Sequence, residues 1–243
     1  MIRLDDLHIK GYKIFQESDG FCFGTDAVLL AWFSGNKKFK KTVDLCSGNG
    51  IIPVLLSVHP CCEKIVGVEI QTSQIELAKR TVEYNGLCGK IEMLNADLRD
   101  IAPKKLLARA EYDLVTVNPP YMPKDSGFVA DGGKGVARTE LACSLSDVVF
   151  AGNYLLKNGG RFCIINRADR LTDIICCMRE NGLEPKRLLT VSARAEKPPM
   201  LVLVEGVKGG KTGLTVEPPL FIHGSDGEYT PILKEIYSGR EEL

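Results

Sequence analysis

No stretch of this sequence is long and apolar enough to cross a bilayer, since none approaches the ~20 consecutive hydrophobic residues a spanning helix needs. The opening residues, MIRLDDLHIKGYKIF, have neither the apolar stretch nor the small-residue cleavage site of a secretory signal. A cytoplasmic protein without a membrane partner is expected. Net charge is missing too. Lys plus Arg and Asp plus Glu each number 31, with an isoelectric point near 6.8. That balance excludes a histone-like basic coat and an acidic tail, so a polyanionic partner has to be met by a local patch. The nine cysteines include no C-x-x-C pair, their number is odd, and Cys163, Cys176 and Cys177 sit in apolar runs. Free, buried thiols in a reducing compartment fit better than a disulfide scaffold. Histidine is scarce, and His8, His59 and His223 have no partner at catalytic spacing. Cys61, Cys62 and His59 cluster, but an adjacent pair poorly supplies two tetrahedral ligands and no second half-site follows, so no metal is expected.

The 243 residues, 44% of them apolar and 26% charged, are ordinary for a folded protein of one full domain or two small ones. The dominant rhythm is strand, turn, helix. Strands are predicted at 42–45, 64–70, 90–94, 112–117 and 161–166. Helices are predicted at 51–58, at 72–86 with Thr72 as N-cap, around 103–110, from about Glu140 to Lys157, and at 168–181. Such alternation implies parallel βαβ units. RLLTVSAR (187–194) and MLVLVEG (200–206) follow without a helix between them and read as an antiparallel hairpin. The expected fold is therefore α/β and Rossmann-like, a mostly parallel seven-stranded sheet closed by an antiparallel hairpin with helices on both faces. That is the class I methyltransferase outline. Residues 1–35 are expected to form an N-terminal arm, 36–207 the catalytic domain, and 208–243 a less regular tail completing it.

The first chemical signature is Asp44-Leu45-Cys46-Ser47-Gly48-Asn49-Gly50. A ligand over the carboxyl end of a parallel strand needs a turn without side chains in its way, and Gly48 and Gly50 supply one. Glu69 closes the next strand 25 residues after Asp44, where a carboxylate can take both hydroxyls of a ribose. A dinucleotide fingerprint wants a close-packing small residue where Pro53 stands, which leaves a dehydrogenase as a minor alternative. Asp44 ahead of the glycines suits a cofactor bearing an ammonium group, the methionine end of S-adenosylmethionine. Asp97 is placed to accept from the adenine amine. Expected cofactor positions are Asp44, Cys46, Ser47, Gly48, Gly50, Glu69 and Ile70, Asp97 and Leu98, and Asn118. Cys46 stands where the methyltransferases that this turn resembles usually have glycine, so its side chain has to point away from the cofactor.

Asn118-Pro119-Pro120-Tyr121 directly follows the fourth strand and carries the expected catalytic residues. An exocyclic or carboxamide nitrogen is a poor nucleophile because its lone pair is delocalised. Two acceptors on its hydrogens, the Asn118 side-chain oxygen and the Pro119 carbonyl, would pull it toward sp³ geometry. Pre-proline residues are held extended, which fixes both acceptors. Tyr121 offers a flat face for a base turned out of its stack.

These motifs, DLCSGNG, VGVEI, NAD and NPPY in this order, resemble amino-directed S-adenosylmethionine-dependent methyltransferases. Adenine-N6, guanine-N2 and release-factor glutamine enzymes share the last of them. Phe23-Gly24-Thr25-Asp26-Ala27-Val28-Leu29-Leu30-Ala31 resembles the GTDA-LL segment of the tRNA1(Val) adenine-N6-methyltransferase family, also called YfiC-like or TrmN-type. Ala137-Arg138-Thr139-Glu140, LLKNGGRF (155–162) and PLFIHGSDGEYT (219–230) extend the likeness along almost the whole chain. The resemblance implies methylation of the adenosine 3′ of the anticodon in a valine tRNA. Guanine-N2 of RNA, a protein glutamine amide and a non-catalytic RNA-binding module remain alternatives. Thr25 and Asp26 either cap a helix or line the cofactor pocket. Tyr121, Lys124 and Arg138 are expected to meet the RNA substrate, within a mobile loop over 122–137. Lys37, Lys38, Lys40 and Lys41, with Lys104, Lys105 and Arg109, are candidates for a positive rim. Trp32 and Phe33 are expected in the core. Nothing in the sequence sets the oligomeric state.

Overall fold

The structure, a computed structural model, describes residues 1–17, 24–120 and 143–238. Seven long strands build the sheet: β3 (Lys41–Leu45), β4 (Lys64–Glu69), β5 (Ile91–Asn95), β6 (Tyr112–Val117), β7 (Leu156–Arg167), β8 (Leu183–Ser192) and β9 (Leu201–Lys208). Before them, β1 (Ile2–Asp6) and β2 (Lys13–Glu17) form a separate antiparallel hairpin. Their order across the main sheet is β8-β9-β7-β6-β3-β4-β5, and only β9 runs antiparallel to its neighbours. The tail adds two short strands that the sequence did not announce, β10 (Thr215–Val216) and β11 (Leu220–Phe221), both parallel to β8. They cover backbone that would otherwise be an open edge.

Period-2 alternation divides the sheet's residues between two cores. Cys163 and Ile165 of β7 face one, with α1 (Thr25–Ser34), α2 (Ile51–Ser57) and α6 (Pro231–Ser238). α3 (Thr72–Tyr84) packs there as well, between β5 and β2. Phe162 and Ile164 face the other, with α4 (Leu145–Leu155) and α5 (Leu171–Glu180). Helix α1 is apolar on almost every side because it packs against α2, α6 and the sheet. Phe33 is in the core as expected, and Trp32 is half-buried against it.

Several local expectations need correction. The N-cap of α3 is Gln71, with Thr72 the first helical residue. Its far end closes in a Schellman arrangement, the Leu87 N–H donating to the Val82 carbonyl with Gly86 at φ +68. No helix forms over 103–110. Lys105 and Ala110 both take left-handed conformations there, φ +51 and +56, and break any continuing helical turn. Helix α4 begins at Leu145, where Ser144 and Asp147 form a reciprocal capping box, and so later than the pattern suggested. Strand β7 starts at Leu156 and accommodates Asn158 to Gly160 through a register shift against β6.

The amino end of the sheet is tied together by charge. Glu205 is fully buried and accepts from Lys37 Nζ at 2.6 Å and from Arg161 and Arg187 at 3.0 Å each. Arg161 also donates to the Ser34 and Lys37 carbonyls, and Arg187 to Glu217. The end of α1 is thereby fastened to β7, β8 and β9. The basic run belongs to this end. Lys40 pairs with Glu63 just ahead of β3, and Lys41, the first residue of that strand, with Glu111. The positive rim read from Lys37, Lys40 and Lys41 therefore lies away from the carboxyl edge where the motifs gather.

Candidate active site

Strands β3, β4 and β6 are parallel neighbours, so the segments after Leu45, Glu69 and Val117 emerge at one edge. Register places Asp44 beside Thr116, and the Thr116 hydroxyl donates to Asp44 Oδ1 at 2.6 Å. Asp44 is wholly buried. Burial pushes its carboxyl up to about 7, against the Thr116 hydroxyl and Ser47, with the negative charge of Glu69 adding to the rise. Its second oxygen has no hydrogen-bond partner among the described residues, and Ser47 Oγ beside it also lacks one of proper geometry. Thr116 is a site residue missed in the sequence. It alternates within an apolar strand, and only strand register makes it a neighbour of Asp44.

The turn after β3 passes through Cys46 at φ +58, Gly48 at +53 and Gly50 at +84. A side chain at Gly48 would meet nothing within 4 Å, so that position opens onto free space. Its N–H donates to Glu69 Oε2 at 2.9 Å, and the Gln71 N–H donates to Oε1 at 2.9 Å. Two backbone donors thus fix the Glu69 carboxylate against the glycine turn. Asn95, also missed in the sequence, donates from its amide to the Glu69 and Ile70 carbonyls and holds the next turn in place. Asp97 sits at the following strand end, half-buried, with Leu98 buried behind it. Its carboxylate caps a short 3-10 turn and grips Arg99, whose guanidinium holds Asp97 below the usual carboxylate range. Cys46 directs its sulfur toward Cys143, 3.9 Å away, on the α4 side of the sheet.

The acceptor side is built from two distant segments. Asn118 follows β6 half-buried, Pro119 is buried and Pro120 exposed. The Asn118 amide nitrogen donates to Asp26 Oδ2 at 3.0 Å, across 92 residues of sequence. An ionised carboxylate only accepts, so this contact sets which end of the amide is nitrogen and turns Oδ1 away from Asp26. Neither Thr25 nor Asp26 supplies the N-cap of α1, which is Gly24. A side chain at Gly24 would meet Asp26 Oδ1 at 2.6 Å, so the bare glycine lets Asp26 fold back. Thr25 Oγ1 accepts from the Tyr237 hydroxyl at 2.8 Å, which ties α6 to the start of α1. The structure therefore brings Thr25, Asp26, Asp44, Cys46, Ser47, Gly48, Gly50, Glu69, Ile70 and Asn118 to one edge. Phe23, Tyr121, Lys124, Arg138 and the 122–137 loop lie outside the described residues. Among the described residues no His, Cys, Asp and Glu group is arranged for a metal ion.

Comparison with known proteins bears on the fold and the family. Residues 18–132 match the methyltransferase small domain family. A Porphyromonas gingivalis protein named tRNA1(Val) (adenine(37)-N6)-methyltransferase is 26% identical over 93% of this chain and 91% of its own. A Parabacteroides distasonis protein of the same name is 24% identical over 94% and 95%. Among solved structures, a predicted O-methyltransferase of Agrobacterium tumefaciens superimposes with a TM-score of 0.72 at 21% identity, covering 90% of this chain and 98% of that one. A ribosomal protein L11 methylase of Lactobacillus delbrueckii reaches 0.55 at 14% identity, over 78% and 81%. These likenesses extend the class I methyltransferase fold across most of the described sheet. Residues 18–132, just under half of the chain, are thus similar to the methyltransferase small domain family, and relatives named methyltransferases match more than nine-tenths of the chain.

Proposed function

We propose that the chain uses S-adenosylmethionine to methylate the exocyclic N6 of an adenine in RNA, with the adenosine 3′ of the anticodon in tRNA(Val) as its acceptor, in the cytoplasm. The residues at the carboxyl edge fit that cofactor. The unpartnered oxygen of Asp44 suits an ammonium group, Glu69 is oriented for ribose hydroxyls, and Gly48 leaves room above the turn. Asp97 is assigned to a base amine, which it can accept from once Arg99 gives up one of its four contacts to that carboxylate. Ser47, Gly50, Ile70 and Leu98 supply backbone and walls around these groups, with Thr25 and Asp26 at the boundary to the acceptor. When bound, the cofactor supplies an electrophilic methyl group on sulfur.

The chain's own residues then have to make an amine nucleophilic. The observation that carries the proposal is the Asp26–Asn118 hydrogen bond beside Pro119 at the end of β6. It orients the Asn118 amide, and we assign its Oδ1 and the Pro119 carbonyl as the two acceptors for the two hydrogens of one amine. Gripped by both, the nitrogen loses conjugation and its lone pair turns out of the plane of the base. No side chain has to remove a proton beforehand, because the methylated amine is acidic and sheds its proton to solvent. Catalysis rests on proximity and preset dipoles. Tyr121 is assigned to stack the acceptor base, and Lys124 and Arg138 to hold RNA phosphate.

Relatives bearing the tRNA1(Val) adenine name over more than nine-tenths of this chain support the choice of acceptor. The test is methyl transfer from labelled cofactor to total tRNA, ribosomal RNA and a release factor, followed by nucleoside and peptide mass spectrometry. N6-methyladenosine in tRNA is the expected product. N2-methylguanosine or methylglutamine would replace the acceptor, and no transfer to any of the three would favour a non-catalytic RNA-binding module.

A further inference from the structure

The sulfurs of Cys46 and Cys143 lie 3.9 Å apart although 97 residues separate them in sequence. Neither thiol has a part in the transfer chemistry above. Cys46 sits in the cofactor turn with a left-handed backbone, while Cys143 immediately precedes Ser144, the cap of α4. Both are free and half-buried. We propose that Cys46 and Cys143 form a redox modification site that hydrogen peroxide closes to a disulfide, weakening the hold of the glycine turn on its ligand.

Geometry and chemistry divide the roles. The two sulfurs share one contact in which either can be the donor, and that contact together with burial pushes the Cys46 thiol up. Cys143 directly precedes the cap of α4 and so lies at the positive end of that helix, which makes it the thiolate that reacts first and Cys46 the resolving thiol. The Cys143 sulfur attacks one peroxide oxygen and the O–O bond breaks. The departing hydroxide takes a proton and leaves as water, with a sulfenic acid on Cys143. The Cys46 sulfur then attacks that sulfur, the S–O bond breaks, and a second water departs with the Cys46 proton. Two thiols lose two electrons and one peroxide gains them.

A disulfide requires the sulfurs to close from 3.9 Å to about 2.05 Å. Cys46 cannot move alone, because the adjoining Ser47 N–H is bonded to the Val68 carbonyl and the Gly48 N–H to Glu69. The pull toward α4 is therefore transmitted to the ribose-binding carboxylate.

The test treats the full-length protein with hydrogen peroxide, blocks remaining thiols and maps the digest by mass spectrometry. Affinity for S-adenosylhomocysteine is measured by calorimetry before and after, and again after dithiothreitol. A Cys46–Cys143 linked peptide is expected, with affinity reduced by roughly tenfold or more, as ångström-scale misplacement in a site can do, and restored by the reductant. Cys143→Ser should bind like the untreated protein and ignore peroxide. Oxidation that stops at a sulfinic acid, a link from Cys143 to any other cysteine, or a link that leaves affinity unchanged overturns the proposal. If the reduced protein does not bind S-adenosylhomocysteine at all, the cofactor assignment fails, and the linked peptide alone judges the disulfide.

Discussion

The two ends of the sheet treat charge in opposite ways. At the amino end, buried Glu205 is met by Lys37, Arg161 and Arg187, and the guanidiniums spend further donors on carbonyls and Glu217. At the carboxyl end, buried Asp44 has one hydroxyl partner and one oxygen without a partner among the described residues, and Cys46 is held in a left-handed backbone conformation. A saturated network holds elements together and offers a ligand nothing. An undersupplied one carries the desolvation penalty until something binds. The same physical rule thus separates scaffold from site without reference to any relative.

Four substitutions sharpen or break that contrast. Glu205→Ala leaves two buried guanidiniums without their carboxylate and should cost about 3–5 kcal/mol in urea unfolding. A loss below about 1 kcal/mol, the scale of an exposed pair, would erase the difference between the ends. Asn118→Ala should do the reverse. Methyl transfer falls by roughly 10²–10³ with the urea midpoint and S-adenosylhomocysteine affinity retained, as when one preset polar contact is removed. Retained transfer would sink the proposed mechanism. Asp26→Ala releases the Asn118 amide and should lower the transfer rate by about tenfold or somewhat more, the value of one hydrogen bond to a charged group. That loss belongs in kcat, and a change confined to the cofactor KM would return Asp26 to simple ligand binding.

The smallest effect is one of pH. With its carboxyl raised from 3.8 to about 7, Asp44 is neutral in the ligand-free protein below that point. Its contribution to stability is complete below its unfolded value and is lost as pH rises through about 7. Asp44→Asn cannot ionise, so its melting temperature should gain on the parent between about pH 4 and pH 7 and the gap should level off above that. An ammonium-bearing ligand needs the carboxylate, so parental affinity should weaken as pH falls below 7, by at most about tenfold per unit for one proton. Identical pH profiles for parent and variant would show that Asp44 does not titrate in this range.

Much of the fold could be read directly from spacing. YDLVTV occupies β6 residue for residue, and the turns after β3 and β6 fall where glycine and proline put them. Around 103–110 the reading failed because apolar and basic residues at helical spacing do not reveal left-handed breaks at Lys105 and Ala110. Lys37, Lys40 and Lys41 looked like an RNA-facing run, yet a linear charge pattern cannot say at which end of a sheet it lies. Asp26 was visible only as one of two cap or pocket candidates. Its partner Asn118 lies at the end of another element, and no local propensity connects them.

Local chemistry alone determined the alternation of strands and helices, the glycine turn, the acid that closes β4 and the pre-proline position of Asn118, because each depends on residues close together in the chain. Tertiary structure decided which groups pair. Strand register set Thr116 against Asp44, packing of α1 brought Asp26 to Asn118, and the start of α4 brought Cys143 to Cys46. Hydrogen bonds and thiol contacts act over a few ångströms, so only the packed chain settles which distant residues come within reach of one another.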